Sequence, residues 1–154
     1  MRRQTLVAVR SVERGDAAAW LRLRQALWPE GSAAEHGRDI EDFFSKRALE
    51  PHAVLIAEDQ DCRKVGIAEL SIRPWAEGCE SSRVAYLEGW FVVPEARRQG
   101  VGRALVEAAE KWARAQGCGE LASDTQPDNS AGIAAHRAIG FTDVGTIRCY
   151  RKEL

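Results

Sequence analysis

The chain has 154 residues, 45% hydrophobic and 29% charged, with a formal net charge of −1. Such a length and balance suit one soluble domain, residues 1–154, with a real core. A charge so near zero supplies no global field favouring nucleic acid or a membrane surface as a partner. The four cysteines, Cys62, Cys79, Cys118 and Cys149, show neither a CxxC pair nor a Cys/His metal spacing. Free thiols in a reducing cytoplasm, and no metal, are therefore expected. The start, Met1-Arg2-Arg3-Gln4, is basic, but the apolar run after it is too short for a signal peptide. No stretch approaches the roughly 20 apolar residues of a membrane span.

In chain order, Leu6 to Val12 alternates as a first strand. Asp16 to Leu27 is rich in alanine and leucine and predicts a helix, with Asp16 placed to cap it and Pro29 beyond its end. Glu35 to Leu49 predicts a second helix, with Ile40, Phe43, Phe44 and Ala48 near helical spacing. Ala53 to Glu58 and Lys64 to Arg73 form a hairpin through the turn Asp59-Gln60-Asp61-Cys62. Pro74 to Ser82 is a polar loop carrying Trp75, Glu77 and Glu80.

Arg83 to Val93 is apolar on both faces and predicts a central strand. At period two, Val84, Tyr86, Glu88, Trp90 and Val92 share one face, and Gly89 marks a bulge or a close backbone approach. Val101 to Ala115 predicts a helix with Val101, Leu105, Ala108 and Trp112 on one stripe. A short strand, Glu120 to Asp124, a turn at Pro127-Asp128-Asn129, a helix from Ser130 to Ile139 and a final pair of strands over Phe141 to Lys152 complete the order. The pattern is that of an α+β domain of three layers.

The most informative stretch is Arg97-Arg98-Gln99-Gly100-Val101-Gly102, between the central strand and the helix after it. A glycine turn at a helix N-terminus leaves amide hydrogens unpaired and adds the positive end of the helix dipole, which makes a cradle for a diphosphate. Beside it, Glu88 is a lone acid among apolar neighbours, where it needs a use or a partner. Two readings of Glu88 stand: a ligand for a substrate ammonium and possible base, or a structural ion pair with Arg73 or Arg83. Asp124 ends a strand at the edge where ligands bind, or serves the turn that follows it.

Arg97-x-x-Gly100-x-Gly102 after Phe91-Val92-Val93-Pro94 resembles the acetyl-CoA signature of the GNAT N-acetyltransferase superfamily, and Asn129 with Ala138-Ile139-Gly140-Phe141 resembles its second motif. Nearly end to end, the chain also resembles aminoglycoside 6′-N-acetyltransferases. The segments are Ala26-Leu27-Trp28-Pro29, Ala68-Glu69-Leu70-Ser71-Ile72-Arg73, Leu87-Glu88-Gly89, Ala122-Ser123-Asp124 and Tyr150-Arg151-Lys152. The resemblance implies a mixed, mostly antiparallel sheet flanked by helices on both faces. It also implies acetyl-CoA as cosubstrate, direct transfer to the 6′-amine of an antibiotic, and a homodimer.

Carried over to this chain, Glu88 and Asp124 are the catalytic candidates. With Trp28 and Trp75 they also meet the polycationic substrate. Phe91, Val92 and Val93 would pair with the pantetheine arm. Arg98, Gln99, Gly100, Val101, Gly102 and Arg103 would hold the pyrophosphate, and Asn129 would contact the coenzyme, with an N-cap role open beside it. Two departures bear on this. Many family members have a tyrosine where this chain, like similar enzymes, has His136, so no general acid is assigned. Gly145 stands where some relatives place an acid that touches substrate. Direct attack needs no cysteine nucleophile, so Cys118 and Cys149 receive no role. Two other functions remain at this point: acetylation of a polyamine, metabolite or protein amine, and non-catalytic acyl-CoA sensing.

Overall fold

The computed structural model describes residues 6–154, so the basic stretch Met1–Gln4 lies outside the described residues. Five strands form one sheet in chain order: β1 (Ala8–Ser11), β2 (Ala53–Glu58), β3 (Lys64–Arg73), β4 (Val84–Val92) and β5 (Leu121–Ser123). All neighbouring pairs are antiparallel except β4 and β5, which run parallel. Four helices, α1 (Ala17–Leu27), α2 (Ala33–Phe44), α3 (Val101–Ala115) and α4 (Ser130–Ala138), complete the α+β fold.

The β3 side chains show how the layers are built, because successive residues of a strand face opposite ways. A Cβ added at Gly66 would meet Leu105 and Val101 of α3. On the other face, Glu69 meets Trp20 of α1. The sheet therefore lies between α1 and α2 on one side and α3 on the other. Its core includes Trp20, Leu23, Ile56, Ile67, Leu70 and Leu105, all nearly solvent-free. No helix among the described residues is long and apolar enough to cross a membrane.

Two element boundaries differ from the sequence reading for identifiable reasons. The second helix starts at Ala33 rather than Glu35, because Ser32 and Glu35 close a capping box, and it ends at Phe44, where Lys46 takes a positive φ of 58°. Asp16 makes no side-chain cap on α1. Its carboxylate instead accepts from the Glu13 amide and pairs with Arg10 at 2.7 Å, tying the chain between β1 and α1 back onto β1. The Arg10 hydrogen bond holds the Asp16 carboxyl below its ordinary value of 3.8. Its folded pKa is thus lower than its unfolded one, so its stabilisation is present above pH 3.8 and fades as pH falls. In acid melting curves, Asp16→Asn is expected to flatten the loss of Tm below about pH 4.

The largest difference lies at the C-terminus. Residues 141–154 form no strand, and Val144, Ile147 and Tyr150 are 60, 61 and 88% exposed. A β-prone segment needs an edge to pair with. Here the segment instead passes the β3–β4 loop, where Val144 lies against Gly78, and pairs with no strand.

Candidate functional site

The site is organised by one irregularity in β4. Opposite β3, Gly89 pairs with Glu69 and Leu87 with Leu70, so Glu88 is the extra residue of a β-bulge. Gly89 also serves the second purpose expected of it: a Cβ there would sit 2.7 Å from Trp28 and 2.9 Å from Leu27. The bulge shifts the alternation that the sequence predicts for one face of β4. Tyr86 and Glu88 both touch Arg73, whereas Trp90 faces the other layer and packs on Gly102 of α3.

Ladder pairing between β4 and β5 ends at Leu87 and Ser123. Beyond that point the two strands part, leaving the β5-side edge of β4 without a strand partner over Glu88 to Val92, where the Val92 carbonyl accepts from Arg97. Edge amides and carbonyls of this kind can pair with an extended ligand. Phe91 and Val92 lie on this edge. Val93 lies just past the strand, and its amide is already used by the Val65 carbonyl at 2.9 Å. In the notch, the Ser123 hydroxyl lies 2.8 Å from His136 Nε2, and His136 Nδ1 donates to the Gly132 carbonyl at 2.7 Å. The His136 ring packs edge-on between Trp90 and Phe141. Beside it, Trp90 Nε1 is buried with no hydrogen-bond partner among the described residues.

The cradle lies at the other end of the open edge. Gly100 occupies the N-cap of α3 at φ 87°, with no side-chain cap, and Arg98 before it also has a positive φ, 64°. The first amides of α3, from Val101, Gly102 and Arg103, have no acceptor within the helix. A cleft of about 470 Å³ here is lined by Leu6, Val7, Gln99, Gly100, Arg103, Ala104 and Glu107. The side chains divide differently from expectation. Arg97 folds back to donate to the Val92 carbonyl at 2.9 Å, and the Gln99 amide group donates to the Glu95 carbonyl at 2.9 Å. Arg103 donates to the Ala138 carbonyl at the end of α4, so its guanidinium locks two helices together. Arg98 is exposed. Asn129 caps α4 through the Gly132 amide at 2.9 Å and donates to Thr125 Oγ1 at 3.0 Å, the N-cap reading. An uncapped helix mouth, an open strand edge and an orphaned indole N–H fit a diphosphate joined to an amide-rich arm, as coenzyme A requires.

The two candidate acids meet on the α1 face. Glu88 forms a two-point pair with Arg73, at 3.0 and 2.7 Å, so the ion-pair reading of this residue holds, with Arg73 and not Arg83 as partner. Arg83 donates instead to the Gln116 carbonyl. The Tyr86 hydroxyl donates to Asp124 Oδ2, and the Arg73 guanidinium stacks 3.5 Å from the centre of the Tyr86 ring. Burial, reinforced by the bond to Asp124, pushes the Tyr86 hydroxyl well above its usual range, so it stays a donor. Trp28, half-buried at the end of α1, walls this face. His36 Nε2–H holds its carbonyl at 3.0 Å, and Arg24 lies over its ring. Trp75 is 62% exposed on the β3–β4 loop.

Two groups have a larger structural role than the sequence reading gave them. Glu69, 1% exposed and opposite Gly89 in the register, accepts from Trp20 Nε1 at 3.1 Å and pairs with Arg24 at 3.1 Å. Tyr86 links the two acids. The period-two pattern put Tyr86 and Glu88 on one face, which was the available signal; the arginine between them comes from a neighbouring strand and has no local signature.

Residues 18–141 match the Acetyltransferase (GNAT) family. The chain is 58% identical to an aminoglycoside N(6')-acetyltransferase type 1 from Klebsiella aerogenes over 146 residues, 95% of this chain and 96% of that protein. A second enzyme of that name, from Serratia marcescens, is 41% identical, with 88 and 92% of the two chains covered. Among solved structures, AAC(6')-Iy in complex with the bisubstrate analog CoA-S-monomethyl-acetylneamine superposes with a TM-score of 0.89 at 35% identity, covering 97% of this chain and 100% of that one. The strand read as central, β4, lies next to the sheet's β5 edge, with β3 at the centre. With the cradle, the bulge in β4 and these similarities in hand, the chain belongs to the GNAT family of acetyltransferases.

Proposed function

We propose that this protein transfers the acetyl group of acetyl-CoA to the 6′-amine of aminoglycoside antibiotics and so confers resistance to them, acting as one domain over residues 1–154. The observation that carries the reading is the β4 bulge. Around it Glu88, the Asp124 carboxylate held by Tyr86, and Trp28, packed over Gly89, share one face at the point where β4 and β5 part. The relatives with this substrate in their names, and the bisubstrate complex of one similar structure, support the same reading.

Acetyl-CoA supplies an activated acyl carbon. This chain's residues do the rest. The amides at the mouth of α3, including those of Val101 and Gly102, receive the diphosphate, and the open edge of β4 aligns the arm. Glu88 and Asp124 gather ammonium groups of the polycation, and one of the two carboxylates takes the proton from the attacking nitrogen, whose new bond to the acyl carbon replaces the C–S bond as coenzyme A leaves as a thiolate and is protonated from solvent. An unpaired backbone N–H of the bulged strand serves the developing oxyanion. The acceptor face is not bare acid, since Arg73 already balances Glu88, and this favours substrates with several amines over single ones.

The assay is thiol release from acetyl-CoA with kanamycin or tobramycin, against spermidine as the competing class of amine. Turnover of the aminoglycosides with the acetyl group on the 6′ nitrogen supports the proposal. Turnover of spermidine alone would replace it with a polyamine acetyltransferase, and thiol release with neither would leave a sensor.

A cytoplasmic homodimer belongs to the same proposal. The four cysteines are unbridged, in keeping with a reducing compartment. None of the α4 residues is buried, β5 pairs on one edge only among the described residues, and the segment after Phe141 is exposed. The free β5 edge and this exposed segment give a second copy a surface on which to pair. Sedimentation is expected to give a dimer for the full chain and a monomer after removal of residues 142–154; a monomeric full chain refutes it.

A further inference from the structure

We propose that Arg73, seated on the ring of Tyr86, is an internal cation that occupies Glu88 until an incoming polyamine takes its place, and that it thereby sets the enzyme's preference for substrates with several ammonium groups. The inference rests on the aminoglycoside reading above and deepens it.

Arg73 comes from the end of β3, and its register partner is Val84, not Glu88. It reaches Glu88, the extra residue of the bulge, across the face that Glu88 shares with Tyr86. The contact is fork to fork, Nε to Oε1 at 3.0 Å and Nη2 to Oε2 at 2.7 Å, a geometry only arginine makes. Beneath it, the Tyr86 ring lies 3.5 Å from the guanidinium carbon and holds the planar group in place. The side chains of Arg73 and Glu88 are 38 and 22% exposed, so the pair is reachable from solvent. Tyr86, in contrast, is buried.

The same ring carries the second acid. Its hydroxyl donates to Asp124, so one side chain fixes the spacing between the two carboxylates. Among the described residues Asp124 has no arginine on it; its bond is to a neutral phenol. The two acids are therefore unequal in the free protein: Asp124 is ready for a cation, and Glu88 already has one. A single amine that displaced Arg73 would exchange one ion pair for another and gain little. A polyamine held at Asp124 presents its second ammonium to Glu88 intramolecularly, and that advantage tips the exchange. The displaced guanidinium keeps its stacking on Tyr86.

The test compares kcat/KM for tobramycin with kcat/KM for 6-amino-6-deoxyglucose, a sugar with one amine, in wild type, Arg73→Gln and Arg73→Lys. Arg73→Gln frees Glu88, so the preference for tobramycin over the single amine is expected to fall about fivefold, the scale of one half-exposed ion pair. Arg73→Lys keeps the charge but loses the fork and the stack, and should fall between. The KM for acetyl-CoA is expected to stay unchanged in both. A Tyr86→Phe, Asp124→Asn double-mutant cycle reads the other half: with Asp124 replaced, loss of the hydroxyl should have no further effect on the KM for tobramycin. A preference unchanged in both Arg73 variants overturns the proposal, as does a fully additive cycle. If wild type turns over tobramycin and the preference does not move, only this inference fails. If wild type does not turn over any aminoglycoside, the parent reading fails.

Discussion

At least one of Glu88→Gln and Asp124→Asn is expected to lose about 100-fold or more of its turnover with an aminoglycoside, the scale of a lost general base. Both substitutions keep the shape of the side chain and remove only its charge. The two roles separate in the kinetics. A residue that merely binds an ammonium group raises KM for the amine with kcat little changed, whereas the proton acceptor lowers kcat and removes the limb of the pH–rate profile that reports its ionisation. The prediction for Asp124 is the cleaner one, because its one hydrogen-bond partner in the site is the neutral Tyr86 hydroxyl. Glu88→Gln also breaks the pair with Arg73, so its effect contains the release of that guanidinium. Wild-type rates in both variants would remove the acidic face from the mechanism.

The second large effect is on stability. Glu69→Ala is expected to cost about 3 kcal/mol, because it leaves the buried Trp20 Nε1–H without an acceptor and takes from Arg24 one of its two carboxylates, the other being Asp39 at 2.8 Å. Glu69 is 1% exposed and receives both Trp20 Nε1 and Arg24 Nε. Burial pushes its carboxyl up despite those donors. A folded pKa above the unfolded one means that this group favours folding most at low pH, and that its contribution is lost as pH rises through the folded value. Glu69→Gln keeps an acceptor for Trp20 without the buried charge, so about 1 kcal/mol is expected for it. Urea midpoints of the two variants check the order, and equal midpoints for wild type and Glu69→Ala would refute it. The consequence reaches the site, since Glu69 lies opposite Gly89 in the register, on the face where Trp28 packs.

The parts of this architecture that follow local rules were legible in the sequence. The α3 span from Val101 to Ala115 matches its periodicity, since glycines bound both ends and an apolar stripe fixes the face. Gly89 signalled a bulge or a close approach, and the structure has both: Glu88 beside it is the extra residue, and Trp28, which no local pattern named, packs against it. The α1 and α2 starts were less legible, because capping by Ser32 and the pull of Arg10 on Asp16 compete with simple periodicity. The face of β4 could not be read through the bulge: alternation holds up to Glu88 and shifts after it, so Trp90 points into the α3 layer. In the cradle, sequence spacing marked the glycine turn at the mouth of α3, but it could not show that the Gln99 and Arg103 side chains reach backbone carbonyls. The C-terminal strands failed for a different reason. Strand propensity in Thr146 to Tyr150 is a property of the segment, but a strand also needs an edge, and no local pattern says where that edge is.

The central claim is that the mouth of α3 holds the coenzyme's diphosphate and so aims the acyl carbon into the notch between β4 and β5. Calorimetric titration of coenzyme A into the purified protein tests it most directly. The expected result is one coenzyme bound per chain in wild type, weakened about tenfold or more in Gly100→Val, where a β-branched side chain is forced to leave the positive φ that the cradle needs. Absence of binding heat in wild type, or equal affinity in the two proteins, would contradict it.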